Sequence, residues 1–189
     1  LNDIGEAVYI NVPKSYRCGI ELMAAVKPCD YFDWTVNATL SRNRIKNYTQ
    51  TDAILDPKEN ILGNITATYK SATIAFSPSF ILNNAFNFHV KGFEAQLQSH
   101  CVSRQNLTNT NEKAMSIDPY FVSDLNMAYT FNLKYTKGIT IGFTIYNLFN
   151  EKYESNGWAS REYDASDANH PENAVYATYY GLSAQAGIH

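Results

Sequence analysis

Period two is the feature that most constrains this chain. From Phe32 the apolar side chains fall on alternate positions, Phe32, Trp34, Val36, Ala38 and Leu40, while Asp33, Thr35, Asn37, Thr39, Ser41 and Asn43 take the other phase. In an extended chain those sets stand on opposite faces of a sheet. The alternation returns through residues 18–26, 74–90, 93–97, 121–133, 139–145 and 176–188. The reading is an all-β chain of about seven strands with no helix.

The connections sort by length. Residues 27–30, 91–92 and 135–138 form three tight turns, whereas 47–69, 106–119 and 150–175 form three long polar loops rich in Asn, Thr, Asp, Glu and Gly. Short turns alternating with long loops are expected of an up-and-down antiparallel meander threaded through a bilayer. Several alternating runs reach about 12 to 18 residues, against a mode of about 5 to 6 in soluble sheets. Tyr31, Phe32, Trp34, Tyr129 and Phe131 lie near the turns, where an interfacial aromatic girdle would sit. The competing reading is a soluble sheet whose apolar face packs on a second layer. It would bury Val36, Leu40, Phe131 and Phe143.

Composition removes other classes. The 189 residues are 45% apolar and 17% charged, which is too greasy for a disordered chain. A net charge of -3 gives no basic excess to displace phosphate counterions, so nucleic acid is not an expected partner. No run approaches 18 apolar residues, although a barrel strand needs only about 9 to 11 alternating ones to span a membrane. Cys18, Cys29 and Cys101 form no CxxC pair and are odd in number, so free thiols are expected.

Residues 146–158, YNLFNEKYESNGW, resemble the penultimate-strand signature of TonB-dependent outer-membrane receptors, where an N-L-F-N-x-x-Y run leaves the membrane into a large extracellular loop. NVPKSYRCGIEL (11–22), AFSPSF (75–80), SHCVSRQNLTNT (99–110) and SIDPYFVSDLNMAYTF (116–131) look like successive segments of the same family's C-terminal barrel third. The resemblance covers essentially the whole chain and is similar in flavour to receptors of Bacteroidetes-type bacteria. It implies about seven strands of a 22-stranded transmembrane β-barrel in the bacterial outer membrane. Lipid would surround it, its own plug domain would fill it, and the TonB complex would act through an N-terminal part. The implied activity is energised import of a scarce bulky ligand, such as an iron chelate, haem, cobalamin or glycan, with no cofactor and no covalent chemistry.

One departure bears on extent. The family runs through a Tyr-Pro-Gln-Ala-Gly-like stretch into a closing strand ending in an aromatic residue, whereas here Tyr180 is followed by GLSAQAGIH. Residues 1–189 are therefore expected to be one incomplete barrel domain, with the plug and the remaining strands lying outside it. Seven strands at about 4.8 Å spacing cover roughly 34 Å, and a 22-stranded barrel needs about 105 Å.

Motifs that carry chemistry are few. No GxSxG, HExxH, phosphate-binding or dinucleotide fingerprint occurs, and the chain is not expected to be an enzyme. Arg17, Glu21, Lys27, Glu94 and Gln96 follow the polar phase at depths where lipid would penalise charge, so they are expected against a wet lumen or a plug. His100 shares that phase. The 150–175 loop is the first candidate for ligand contact, through Trp158, Arg161, Tyr163, Asp164 and His170. Asp164, Asp167 and His170 are spaced by three, but no Gly-kinked ligand loop accompanies them and no metal is expected. The sequons at Asn37, Asn47, Asn64 and Asn106 would carry no glycan in a bacterial outer membrane. Two other classes stay open: a soluble β-sheet ligand-binding module, and a small outer-membrane lipase or protease barrel using His100 or another lumenal group.

Overall fold

The computed structural model describes residues 12, 14–56, 58, 60–134, 138–164, 175–180 and 187–188. Strands β1 (Ser15–Cys29) and β2 (Phe32–Leu55) form a hairpin, and β3 (Ile61–Thr73) returns along β2. Next come the hairpin of β4 (Phe80–Val90) with β5 (Phe93–Val102) and the two-residue pair β6 (Gln105–Asn106) and β7 (Ser116–Ile117). Strands β8 (Tyr120–Phe131) and β9 (Ile139–Tyr146) make a further hairpin. Finally β10 (Gly157–Asp164) pairs with β11 (Val175–Tyr180), and β12 (Gly187–Ile188) lies beside β9.

A continuous wall runs β1, β2, β4, β5, β8, β9, β12, each strand antiparallel to the next. Tight turns fix its register along the lower rim. Lys91 and Gly92 both have positive φ, 46° and 84°, the geometry whose twist matches a two-residue hairpin. Because side chains alternate, a slip of one residue would put every apolar group on the polar face. No such slip occurs between β2 and β9: Trp34, Phe86, Leu97, Leu125 and Ile145 are successive cross-strand partners on one face. On the other face the corresponding row is Asp33, Asn87, Gln96, Asn126 and Thr144.

The apolar face is open. Leu40 is 51% exposed, Phe131 43% and Phe143 39%, and Val36 is only half-buried. Two pairs of polar groups on this face bond within it: Trp34 Nε1 donates to Asn84 Oδ1, and the Ser99 and Ser123 hydroxyls are 2.8 Å apart. Aromatic rings gather at the lower rim, with Phe32 and Trp34 stacked on Phe86 at 6.0 and 6.1 Å, and Tyr129 edge-on to Phe131 at 4.6 Å. From Phe88 up to Phe80 the strand rises about 27 Å, or about 21 Å along the normal at a typical 40° tilt, close to the band of about 25 Å that lipid requires.

Above the wall the chain is more regular than its polarity suggests. Residues 47–69, expected as a loop, are mostly strand: β2 continues to Leu55 and β3 pairs with it from Arg44↔Thr73 to Leu55↔Ile61. The burial phase changes there, because Asn47 adopts φ 51° and the buried positions pass from Ile45 to Tyr48 and Asp52. The strand expected from Ile74 starts instead at Phe80. Residues 74–79 stand opposite only 41–43, bracketed by Ile74 N–H to Asn43 O at 3.2 Å and Ser41 N–H to Ser79 O at 2.8 Å. The 150–175 loop contains β10, and the run expected over 176–188 is divided between β11, which pairs with β10, and β12 on β9. The loop after β5 holds β6, β7 and a turn of 3-10 helix, and packs Leu107, Met115 and Ile117 with Ala159 of β10.

Candidate ligand-facing and lumen-facing surfaces

The polar face is knitted by side chains. Asn87 Nδ2 donates to Asp33 Oδ2 at 2.6 Å, Gln96 Nε2 donates to Asn87 Oδ1 at 2.7 Å, and Thr144 Oγ1 donates to Asn126 Oδ1 at 2.9 Å. Pairs of this kind hold short polar groups flat against the sheet, leaving space above them. A hollow of about 500 Å³ opens there, bordered by His89, Glu94, Gln96, Asn126, Gly142 and Thr144. A second hollow, about 320 Å³, lies higher between β1 and β2 against Arg17, Glu21, Thr39 and Asn43.

Arg17, Glu21, Glu94, Gln96 and His100 all stand on this polar face, at the register positions of Asn43, Thr39, His89, Asn87 and Asn83. Arg17 Nη1 donates to Ser77 Oγ at 3.0 Å, which ties the β1 edge to the excursion at 74–79. His100 Nδ1 is 2.6 Å from Asn83 Oδ1, so the ring donates, and its centroid is 6.0 Å from that of Tyr120. Tyr120 in turn stacks on Tyr153 at 4.5 Å, bringing the segment after β9 down onto the upper rim.

The residues of the 150–175 region do not gather on one open surface. Arg161 is turned inward, its side chain 5% exposed, facing an Asp52 side chain that is 2% exposed. Its Nε and Nη2 donate to Asp52 Oδ2 at 2.9 and 2.5 Å, and Nη1 reaches Tyr69 Oη at 3.2 Å and Glu112 Oε1 at 3.4 Å. Burial works against the Arg161 charge, but the bonds to Asp52 and Tyr69 outweigh it and hold the guanidinium above its ordinary value. Burial likewise pushes the Tyr69 hydroxyl up, against the pull of Arg161, so it stays protonated and donates to Glu112 Oε1 at 3.1 Å. Tyr163 is buried with its ring 5.8 Å from the Arg161 guanidinium carbon, and Trp158 is half-buried. Asp164 is placed by its backbone pairing with Leu55, while Asp167 and His170 lie outside the described residues.

Asp52, Tyr69 and Glu112 were missed by sequence reasoning because their segments read as polar loops. A signal was present: Ile65, Ala67 and Tyr69 alternate with Thr66, Thr68 and Lys70. Among the described residues no group of His, Cys, Asp and Glu could hold a metal, and Cys18, Cys29 and Cys101 are free thiols.

No curated protein matches this sequence. Among solved structures the chain is similar to the ferric yersiniabactin uptake receptor FyuA from Yersinia pestis, at 15% identity and a TM-score of 0.56. The likeness covers 91% of this chain and 22% of that one, and at this identity it speaks to the fold. The family model described as TonB dependent receptor-like, beta-barrel matches residues 1–148. With an open apolar face on one side of the wall, hydrogen-bonded polar side chains on the other, and a family model spanning most of its length, this chain belongs to the TonB-dependent receptor-like β-barrel family.

Proposed function

We propose that this chain is the barrel-wall and extracellular-loop portion of a TonB-dependent active transporter in the bacterial outer membrane. Its cargo is a scarce bulky ligand of the iron chelate, haem, cobalamin or glycan kind. The uptake of ferric yersiniabactin by the similar receptor fits the first of these. The observation that carries the reading is the pairing of an open apolar face with a hydrogen-bonded polar face along one antiparallel wall, since a soluble module would cover the first. In this reading residues 1–189 are part of a larger barrel with its own plug domain, and the wall performs no covalent chemistry. Arg17, Glu21, Glu94, Gln96 and His100 face the lumen or the plug. Ligand contact falls to the upper segments, with Trp158, Asp164 and His170 as candidates and the buried Arg161 and Tyr163 holding their scaffold.

The test uses the full receptor in cells. Restored accumulation of a candidate ligand on expression, lost with a protonophore or without TonB, is the expected result. Accumulation that persists in cells lacking TonB would remove the energised mechanism. Replacing residues 165–174 by a Gly/Ser linker should weaken uptake without altering heat-modifiable mobility. Unchanged uptake would take that segment out of ligand contact.

A further inference from the structure

One guanidinium joins three stretches of chain that lie far apart in sequence. Arg161 stands on β10, Asp52 and Tyr69 on the β2–β3 hairpin above the wall, and Glu112 in the loop between β5 and β8. Asp52 is itself held from the hairpin side, since Gln50 Nε2 donates to Asp52 Oδ1 at 3.0 Å and Tyr48 Oη donates to Gln50 Oε1 at 2.8 Å. The polar hub is not alone in joining these segments. Leu107, Met115 and Ile117 of the loop share a buried cluster with Ala159, and the backbone pairs Tyr163↔Ile54 and Asp164↔Leu55 dock β10 on β2. Asn111 adds a strap, its Nδ2 donating to Ser71 O at 2.9 Å while its Oδ1 accepts from Thr73 N–H at 3.1 Å.

Removing one partner of a buried ion pair leaves the other charge stranded away from water, a far larger cost than losing an exposed pair. Lifting any of the three segments strips Arg161 of at least one partner. Segments bound in this way open in one shared equilibrium and not in three separate ones. We propose that Arg161 is a positioning residue that makes the upper β2–β3 hairpin, the 103–119 loop and β10 move as a single cap above the wall. A ligand that contacts any one of them then biases all three. The coupling goes beyond the transport reading and holds whatever the cargo.

Hydrogen exchange on the full-length protein in lipid nanodiscs tests it. Arg161→Met should accelerate exchange by one common factor, roughly tenfold or more, across residues 48–69, 105–117 and 157–163, with β4 and β5 unchanged. Asp52→Asn removes the charge from the opposite side, should give the same pattern, and serves where the Met variant fails to assemble. Arg161→Lys should recover part of the protection, because a single ammonium can meet Asp52 but cannot also span to Tyr69 and Glu112. Acceleration confined to β10, or three unrelated factors for the three segments, would overturn the single cap even if uptake remained TonB-dependent.

Discussion

Asn147 shows how a single side chain ends a wall strand. Its backbone is left-handed, φ 49°, and its N–H donates to the Asp124 carboxylate at 2.7 Å. Its amide then closes a ring with Glu151, Nδ2 to Glu151 O at 2.8 Å and Glu151 N–H to Oδ1 at 2.9 Å. Asn150 is also left-handed, φ 53°, and returns its N–H to Asn147 O at 2.8 Å. Asn is the side chain that both tolerates this conformation and offers a donor with an acceptor, which gives the N-L-F-N run its physical sense. Asn147→Ala loses both side-chain bonds in a buried site and adds backbone strain, so it should lower stability by about 2–4 kcal/mol in denaturant unfolding of the full receptor. Asn147→Gly relieves only the strain and should recover about 1 kcal/mol of that. An Ala variant as stable as the parent would show that the turn is held by something else.

At the scale of elements, the turns are where the sequence is most tightly constrained. Gly92 has φ 84°, and a Cβ there would come within 2.7 Å of Thr130 O, the residue whose N–H bonds Gly92 O at 2.8 Å. Gly92→Ala should therefore cost at least about 1 kcal/mol and slow assembly of the β4–β5 hairpin, read as a lower yield of heat-modifiable protein. The β2–β3 tip works through charge. Asp56 accepts from the Asn60 side chain at 2.9 Å and from the Asn60 and Lys58 N–H groups at 2.8 Å each, and the Asn60 bonds lead in holding its carboxyl below the usual range. A depressed folded-state value means the tip is favoured above the ordinary carboxylate pKa and loses that contribution as pH falls through the folded one. The Asn60 amide resonance should titrate over that window and stop doing so in Asp56→Asn; a flat titration in the parent would refute the clamp. These elements also mark the limit of what could be read from sequence. The wall strands were legible because one face is apolar and open and the other polar, so period two is kept at every step. Residues 47–69 were not, because their inward face carries Gln50 and Asp52 as well as Tyr48 and Tyr69, and the left-handed Asn47 breaks the period where they begin. Arg161 and Tyr163 could be picked out by residue type, but their burial depends on partners on β2 about a hundred residues away.

Across the whole molecule, the two faces make opposite demands on solvent, and that contrast constrains where the wall can exist. Ile20, Leu22 and Ile141 are each about three-fifths exposed, and no described segment covers them. A sheet presenting such residues to water, with β1 unpaired along its outer edge among the described residues, would associate through both face and edge. Acyl chains relieve the first problem and further strands relieve the second. The polar face could not be turned to lipid in exchange, since Glu21, Asp33 and Glu94 would each meet the penalty of a charge in hydrocarbon. Bimane attached at Ile141→Cys and at Thr144→Cys, in a full receptor whose Cys18, Cys29 and Cys101 are first replaced by Ser, should separate the faces. In vesicles with brominated acyl chains the label at position 141 should be strongly quenched and the one at 144 sheltered. Equal quenching at the two positions, or the reverse order, would mean that the apolar face meets protein and not lipid.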